Sequence, residues 1–177
     1  MGFTTPQVIE LTQAVINLAT ATGEDLVKSG EIAGTTMRNF QLEAKDMTRI
    51  TDTMQGALNL STMKLSDFGE TMKYIGPVAN QAGMSLESVA AWMIILANNN
   101  VKASQAGTIF RRIITDLGRD GKLTREELEK FGNSQLGLNG AMDEFGRIAQ
   151  TGAIIMSHNG EQHEQLVKTL EKSLSVR

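Results

Sequence analysis

The stretch "DLGRDGKLTREE", Asp116 to Glu127, holds the sharpest arrangement of ligating side chains in the chain. Aligned to a calcium-binding EF-hand loop, Asp116, Asp120 and Glu127 fall at the first, fifth and twelfth positions, with Gly121 at the sixth, where such a loop turns sharply. The third position is Gly118, which offers no side-chain oxygen, and the chain contains no second hand to pair with it. An Asp-Gly turn followed by a Thr124–Glu127 capping box accounts for the same residues with two ordinary devices. Calcium held by Asp116, Asp120 and Glu127 is the one metal call this sequence carries, and no other cofactor is expected.

The remaining reactive groups do not assemble into a recognisable centre. His158 and His163 are five apart, and one helix face needs a spacing of three or four to aim both imidazoles at one metal, so surface histidines are expected. There is no cysteine, and no serine sits in a nucleophile elbow. Neither GxxxxGK[ST] nor GxGxxG occurs to cradle a phosphate. Glu126 and Glu127 lie in a capped first turn, where negative charge suits the helix dipole. No catalytic residue is assigned, and the chain is not expected to be an enzyme.

Composition narrows the class further. The apolar fraction of 41% supports a buried core, while the ten methionines and few aromatics suit helix-on-helix packing. A net charge of −3 and a pI near 5.4 argue against a general nucleic-acid binder. The segment "SLESVAAWMIILANNNVKASQAGTIFRRI" does have a helix–turn–helix outline, with Lys102, Gln105 and Thr108 on the candidate reading face. It lacks the surrounding basic patch that phosphate contacts require, so specific nucleic-acid binding is not expected. The longest apolar run, Val89 to Ala97, is nine residues and too short to span a bilayer. The start "MGFTTPQVIEL" lacks the basic and apolar regions of a signal peptide.

The elements that must carry these residues all read as helices. No segment sustains alternation of period two, whereas helical spacing recurs throughout. Pro6 opens a first helix with Val8, Leu11, Val15 and Leu18 on one face, and Gly23 breaks it. Thr22 and Asp25 cap a second, reaching about Phe40. A third, from about Glu43 to Leu60, turns Met47, Ile50, Met54 and Ala57 inward. Ser66 caps a fourth with Phe68, Met72, Ile75 and Ala79, and Pro77 predicts a kink or break near Gly76. Ser85 caps a fifth that is apolar on more than one face and expected to be the most buried. Small residues at Ala103, Ser104, Ala106 and Gly107 would let a sixth helix approach the fifth closely.

Beyond Phe131 the pattern weakens, and it returns as an amphipathic helix over Glu161 to Leu174 with no stop signal before Arg177, as though the sequence continues in a longer parent. Turn, cap and helix recur at intervals of roughly 20 residues, too irregular for a named solenoid. The expected fold is all-α, with stacked helical hairpins, about eight or nine helices and no sheet.

The stretch Phe68 to Leu117 resembles the core region of phage tail tape-measure proteins. The resemblance rests on Gly76-Pro77-Val78-Ala79, Ala82-Gly83-Met84-Ser85, Asn98-Asn99-Asn100, Ser104-Gln105-Ala106-Gly107-Thr108 and Arg111-Arg112, in that order. The upstream hairpins fit as well, so residues 1–117 form a tape-measure core-like region and residues 118–177 a helical extension with a weaker match. The resemblance implies a structural segment of a phage or prophage tail protein, involved in tail assembly and tail-length determination. It places the chain in the virion tail, and in the host cytoplasm during assembly, with tail-assembly chaperones and tail-tube proteins as partners. Self-association through an exposed apolar stripe is also expected. Interaction residues are sought at Asn98, Asn99 and Asn100 and at Arg111 and Arg112. The competing functions are a helix-turn-helix DNA-binding module and a small calcium-binding helical module.

Overall fold

The structure is a computed structural model and describes residues 5–101, 103, 105–109, 111, 155–156 and 158–174. Its elements are α1 (Thr5–Thr22), α2 (Leu26–Asn39), a 3-10 turn (Ala44–Asp46), α3 (Met47–Asn59), α4 (Leu65–Gln81), α5 (Leu86–Asn98) and, here numbered α6, Gly160–Leu174. Among the described residues there is no strand, and the helices number seven with the 3-10 turn included. That is fewer than the eight or nine expected. Residues 103, 105–109 and 111 are also helical.

The helix ends follow from local chemistry. At Gly23 (φ 69°) the chain turns left-handed, and its N–H donates to Ala19 O, closing α1. The ends of α2, α4 and α5 share one design. A left-handed residue (Gln41, Gly83 or Asn100) donates to the second-last helical carbonyl, and the next N–H reaches back to Met37, Ala79 or Leu96. At the N-termini, Ser85 Oγ accepts from Ser88 N–H, as expected. Two caps differ from expectation. Asp25 alone caps α2, accepting from Lys28 N–H, because the Thr22 hydroxyl is donated to Leu18 O in the preceding helix. In α4 the helix begins before Ser66: Asp67 reaches back to accept the Lys64 N–H, which moves the cap two residues earlier, to Lys64.

The inward stripes of the sequence are the core. Met47, Ile50, Met54, Ala57, Phe68, Met72, Ile75 and Ala79 are all buried, and in α5 nearly every residue from Leu86 to Leu96 is. The α4 helix runs through Pro77 without a break. Pro77 removes one N–H donor, but the Asn39 side chain of α2 donates to the neighbouring carbonyl of Met72 at 3.2 Å and braces the turn.

How the helices stack is the feature that positions everything else. In α2 and α4, Ile32 lies against Gly69 and Asn39 against Gly76, so these helices run parallel. In α3 and α5, Arg49 meets Glu87 and Leu60 meets Asn98, so these do too. One row is therefore α1–α3–α5, and the other is α2–α4 followed by residues 103–111. The sequence carries the same order: Val8, Leu11, Val15 and Leu18 recur as Met47, Ile50, Met54 and Ala57, then as Leu86, Val89, Met93 and Leu96, each set 39 residues after the last. The unit is a hairpin of two helices, and the interval of about 20 residues seen in the sequence is half of it. Such stacks bury their apolar faces between neighbours.

Glycine makes the stacking close. A Cβ on Gly69 would sit 2.7 Å from Ile32 Cγ1, and one on Gly107 would sit 3.1 Å from Tyr74 Cβ. Gly107 thus serves contact with α4, where Thr71 and Tyr74 lie, while Ala103 and Ala106 also face Met93 and Ala97 of α5 across a shared pocket. Gly69→Ala should lower stability by about 1–3 kcal/mol, because the added methyl would meet Ile32 Cγ1, Cδ1 and Cγ2 together, at 2.7, 2.9 and 3.2 Å. At the corresponding Gly30 only Val15 Cγ1 comes near, at 3.6 Å. Gly30→Ala should therefore be neutral, or stabilising by up to about 1 kcal/mol through helix propensity. Urea midpoints of the two variants check the contrast.

Candidate interaction surface

The two sets of interaction residues proposed from sequence lie near the end of α5 and just beyond it. Asn98, Asn99 and Asn100 form an exposed turn whose side chains and backbone are also structural. Asn98 Nδ2 donates to Leu60 O at 3.0 Å and ties the end of α5 to the end of α3. Asn99 Nδ2 caps its own helix at Ile95 O, and Asn100 takes the left-handed conformation (φ 61°) that a short polar side chain tolerates. Thr62 Oγ1 donates to Ala97 O at 3.3 Å, so the α3–α4 loop and the asparagine turn form one continuous edge. Arg111 is helical and exposed. Arg112, and the candidate calcium ligands Asp116, Asp120 and Glu127, lie outside the described residues, as does Lys102. Among the described residues no group of three or more His, Asp or Glu is placed to hold a metal ion.

The helix–turn–helix outline does not survive packing. Gln105 and Thr108 of the candidate reading face are half-buried, beside the buried Ala106 and Ile109, and Thr71 Oγ1 of α4 donates to Ala103 O at 3.1 Å.

Sequence inspection missed the platform that α6 forms on α3 and α5. Leu170 is buried and lies over Gly56, whose added Cβ would meet Leu170 Cδ2 at 2.7 Å. His163 is not a surface histidine. Its ring stacks on Trp92, centroids 4.1 Å apart and planes 15° apart, and its Nε2 lies 3.0 Å from Ser88 O and 3.2 Å from Ser88 Oγ. A carbonyl can only accept, so Nε2 carries the proton of the neutral ring. His158, in contrast, is exposed.

Burial lowers the His163 pKa below its ordinary 6.5, against smaller upward pulls from the Ser88 carbonyl and Glu164. The unfolded chain therefore binds the proton more readily than the folded one. Stability is full above the unfolded value and falls as pH drops below it. The urea midpoint should decline between about pH 7.5 and about pH 5.5, more steeply than in His163→Phe, which keeps a ring on Trp92 and cannot titrate.

Another long-range contact joins successive hairpins. Arg49 of α3 grips Glu87 of α5 through two bonds, Nε to Oε1 at 2.7 Å and Nη2 to Oε2 at 2.9 Å. Glu87 is almost fully buried, and its hydrogen bonds hold the Arg49 guanidinium pKa above its ordinary value.

Apolar exposure concentrates at one place. Among the described residues, five of the seven large hydrophobics that stand exposed, Val8, Ile9, Ile16, Leu26 and Val27, belong to α1 and α2. Among the described residues no helix is long and apolar enough to cross a membrane.

A scaffold of stacked hairpins with no convergent reactive groups among the described residues fits a structural role, and comparison with known proteins supplies the context. The family model described as phage-related minor tail protein matches residues 1–170. The chain belongs to that family. This tail-protein segment is 33% identical over 141 residues to the tape measure protein of Pneumococcus phage Dp-1, covering 80% of the chain and 12% of that relative. It is 26% identical over 106 residues to the probable tape measure protein of Escherichia phage P2, covering 60% of the chain and 13% of the relative. The tail-protein segment thus spans about an eighth of the length of these relatives. No solved structure matches it.

Proposed function

We infer that this chain is a structural segment of a tape-measure protein of a tailed phage or prophage, taking part in tail assembly and in fixing tail length. The observation that carries it is the 33% identity to the Dp-1 tape measure protein over most of the chain. The segment works as a scaffold, without a reaction of its own, in the virion tail and, during assembly, in the host cytoplasm. Tail-tube subunits and tail-assembly chaperones are its partners. Of the residues proposed from sequence, the edge from Asn98 to Asn100 and the exposed Arg111 are where such partners would touch it, with Arg112 beside it in sequence.

Hairpin stacking gives this segment a particular share in the task. A rod of 39 helical residues would measure roughly 60 Å at 1.5 Å per residue. Stacked hairpins advance only by one interhelical distance, about 10 Å, per unit. Within a protein that fixes tail length, the segment is therefore a folded module that adds about 10 Å per hairpin and not a continuous helical rod.

Deleting the coding region for this segment, in frame, from the phage that carries it should abolish normal tails in electron micrographs of lysates. Tails of unchanged length and full infectivity would overturn the assignment.

A further inference from the structure

We propose that the α1–α2 hairpin presents an open stacking face whose occupant is another helical hairpin of this same 39-residue kind, seated ahead of α1 and α2 as they are seated ahead of α3 and α4. This open face is independent of the tape-measure assignment. It rests on positions that are equivalent in successive hairpins and differ in what covers them.

Gly30, Gly69 and Gly107 occupy the same place in the second helix of each hairpin, 39 and 38 residues apart. Two of them receive side chains from the hairpin before. Gly69 receives Ile32, and Gly107 receives Tyr74, with the Thr71 carbonyl 3.4 Å from where its Cβ would be. Ile32 and Thr71 are themselves 39 residues apart, so the same ridge meets the same notch twice. Gly30 is the first notch of the series. Among the described residues its one neighbour is Val15 Cγ1 of its own hairpin, at 3.6 Å, and no preceding ridge fills it.

Exposure follows the same register. Val8 is 47% exposed, whereas its counterparts Met47 and Leu86 are 4% and 1% exposed. Leu26 is 48% exposed and its counterpart Leu65 is 2% exposed. Thr12 is exposed where Thr51 is buried. The sequence keeps apolar residues at these positions in the first hairpin although they meet water there. Leu11, Thr12, Val15, Leu26, Gly30 and Gly34 line an open groove between α1 and α2, which extends past Met37 and Arg38 to Met47 at the start of α3. Repeat stacks end in hairpins with a polar outer face, and this one does not. The matching ligand is a helix pair that offers a branched or aromatic side chain at the place of Ile32 and Tyr74.

The test adds that hairpin in register. Residues 44–85, which bring their own Gly83 turn and Ser85 cap, are joined in front of Val8, so that Val8 follows Ser85 as Leu86 does. The extended chain should unfold in one transition at a Tm higher than that of the original chain, with amide exchange in α2 slowed at least tenfold. Gly30→Leu should abolish both gains in the extended chain. In the original chain it should leave the Tm unchanged or slightly raised, since the groove there is open and leucine is the better helix former. Two separate transitions, or α2 exchange no slower than in the original chain, would overturn the proposal. So would gains that persist in the Gly30→Leu variant.

Discussion

Trp92→Ala should be the most damaging single substitution in this chain, costing about 3–5 kcal/mol and lowering the Tm by roughly 10 °C. Trp92 is 2% exposed in the centre of α5. Its removal leaves a cavity in the middle of the stack and also withdraws the ring on which His163 lies. The α6 helix then keeps Leu170 over Gly56 but loses its fixed point at the other end. Two measurements separate these effects. Urea denaturation gives the total loss, and hydrogen exchange in α6 should rise beyond what global unfolding explains. If α6 stays as protected as α5, the stack on Trp92 does not hold it.

The next largest effect is expected at the ion pair between α3 and α5. Arg49→Met removes both donors from a Glu87 carboxylate that is 3% exposed, leaving a buried charge without a partner. The cost should be about 2–3 kcal/mol. That is below the range for fully buried pairs, because the Arg49 side chain is 40% exposed and water can partly replace it. Combining Arg49→Met with Glu87→Leu should recover most of the loss, since the double variant exchanges a desolvated pair for apolar contact. A double variant no more stable than Arg49→Met alone would mean that the pair is not what the single substitution disturbs. The cycle is read by urea midpoints at neutral pH.

Much of this architecture is written locally. The helix stripes were legible because each is a run of apolar residues at spacings of three and four, and burial followed them from Leu11 to Ala79. Gly23, Gly83 and Ser85 ended or began helices as their chemistry dictates. The 39-residue unit was harder to see, because stacking conserves the phase of the apolar positions and not their size. Ala14, Thr53 and Trp92 are equivalent, as are Ser29, Phe68 and Ala106, and no residue-by-residue similarity joins them.

Contacts between distant residues were hidden altogether. Nothing near Pro77 announces that Asn39 braces it, and nothing near His163 announces a serine and a tryptophan more than 70 residues away. Of the interaction residues, the asparagine turn could be placed from sequence because three asparagines after an apolar run favour a left-handed end. The open face of α1 and α2 could not, since Val8 and Leu26 look like any core residues until their buried counterparts are seen.

Tail length in a phage carrying an in-frame duplication of residues 44–82 addresses the account most directly. An added stacked hairpin should give assembled tails whose length, in electron micrographs, changes by no more than about 10 Å. Tails longer by roughly 60 Å, the span of the same residues as a continuous helix, would contradict it.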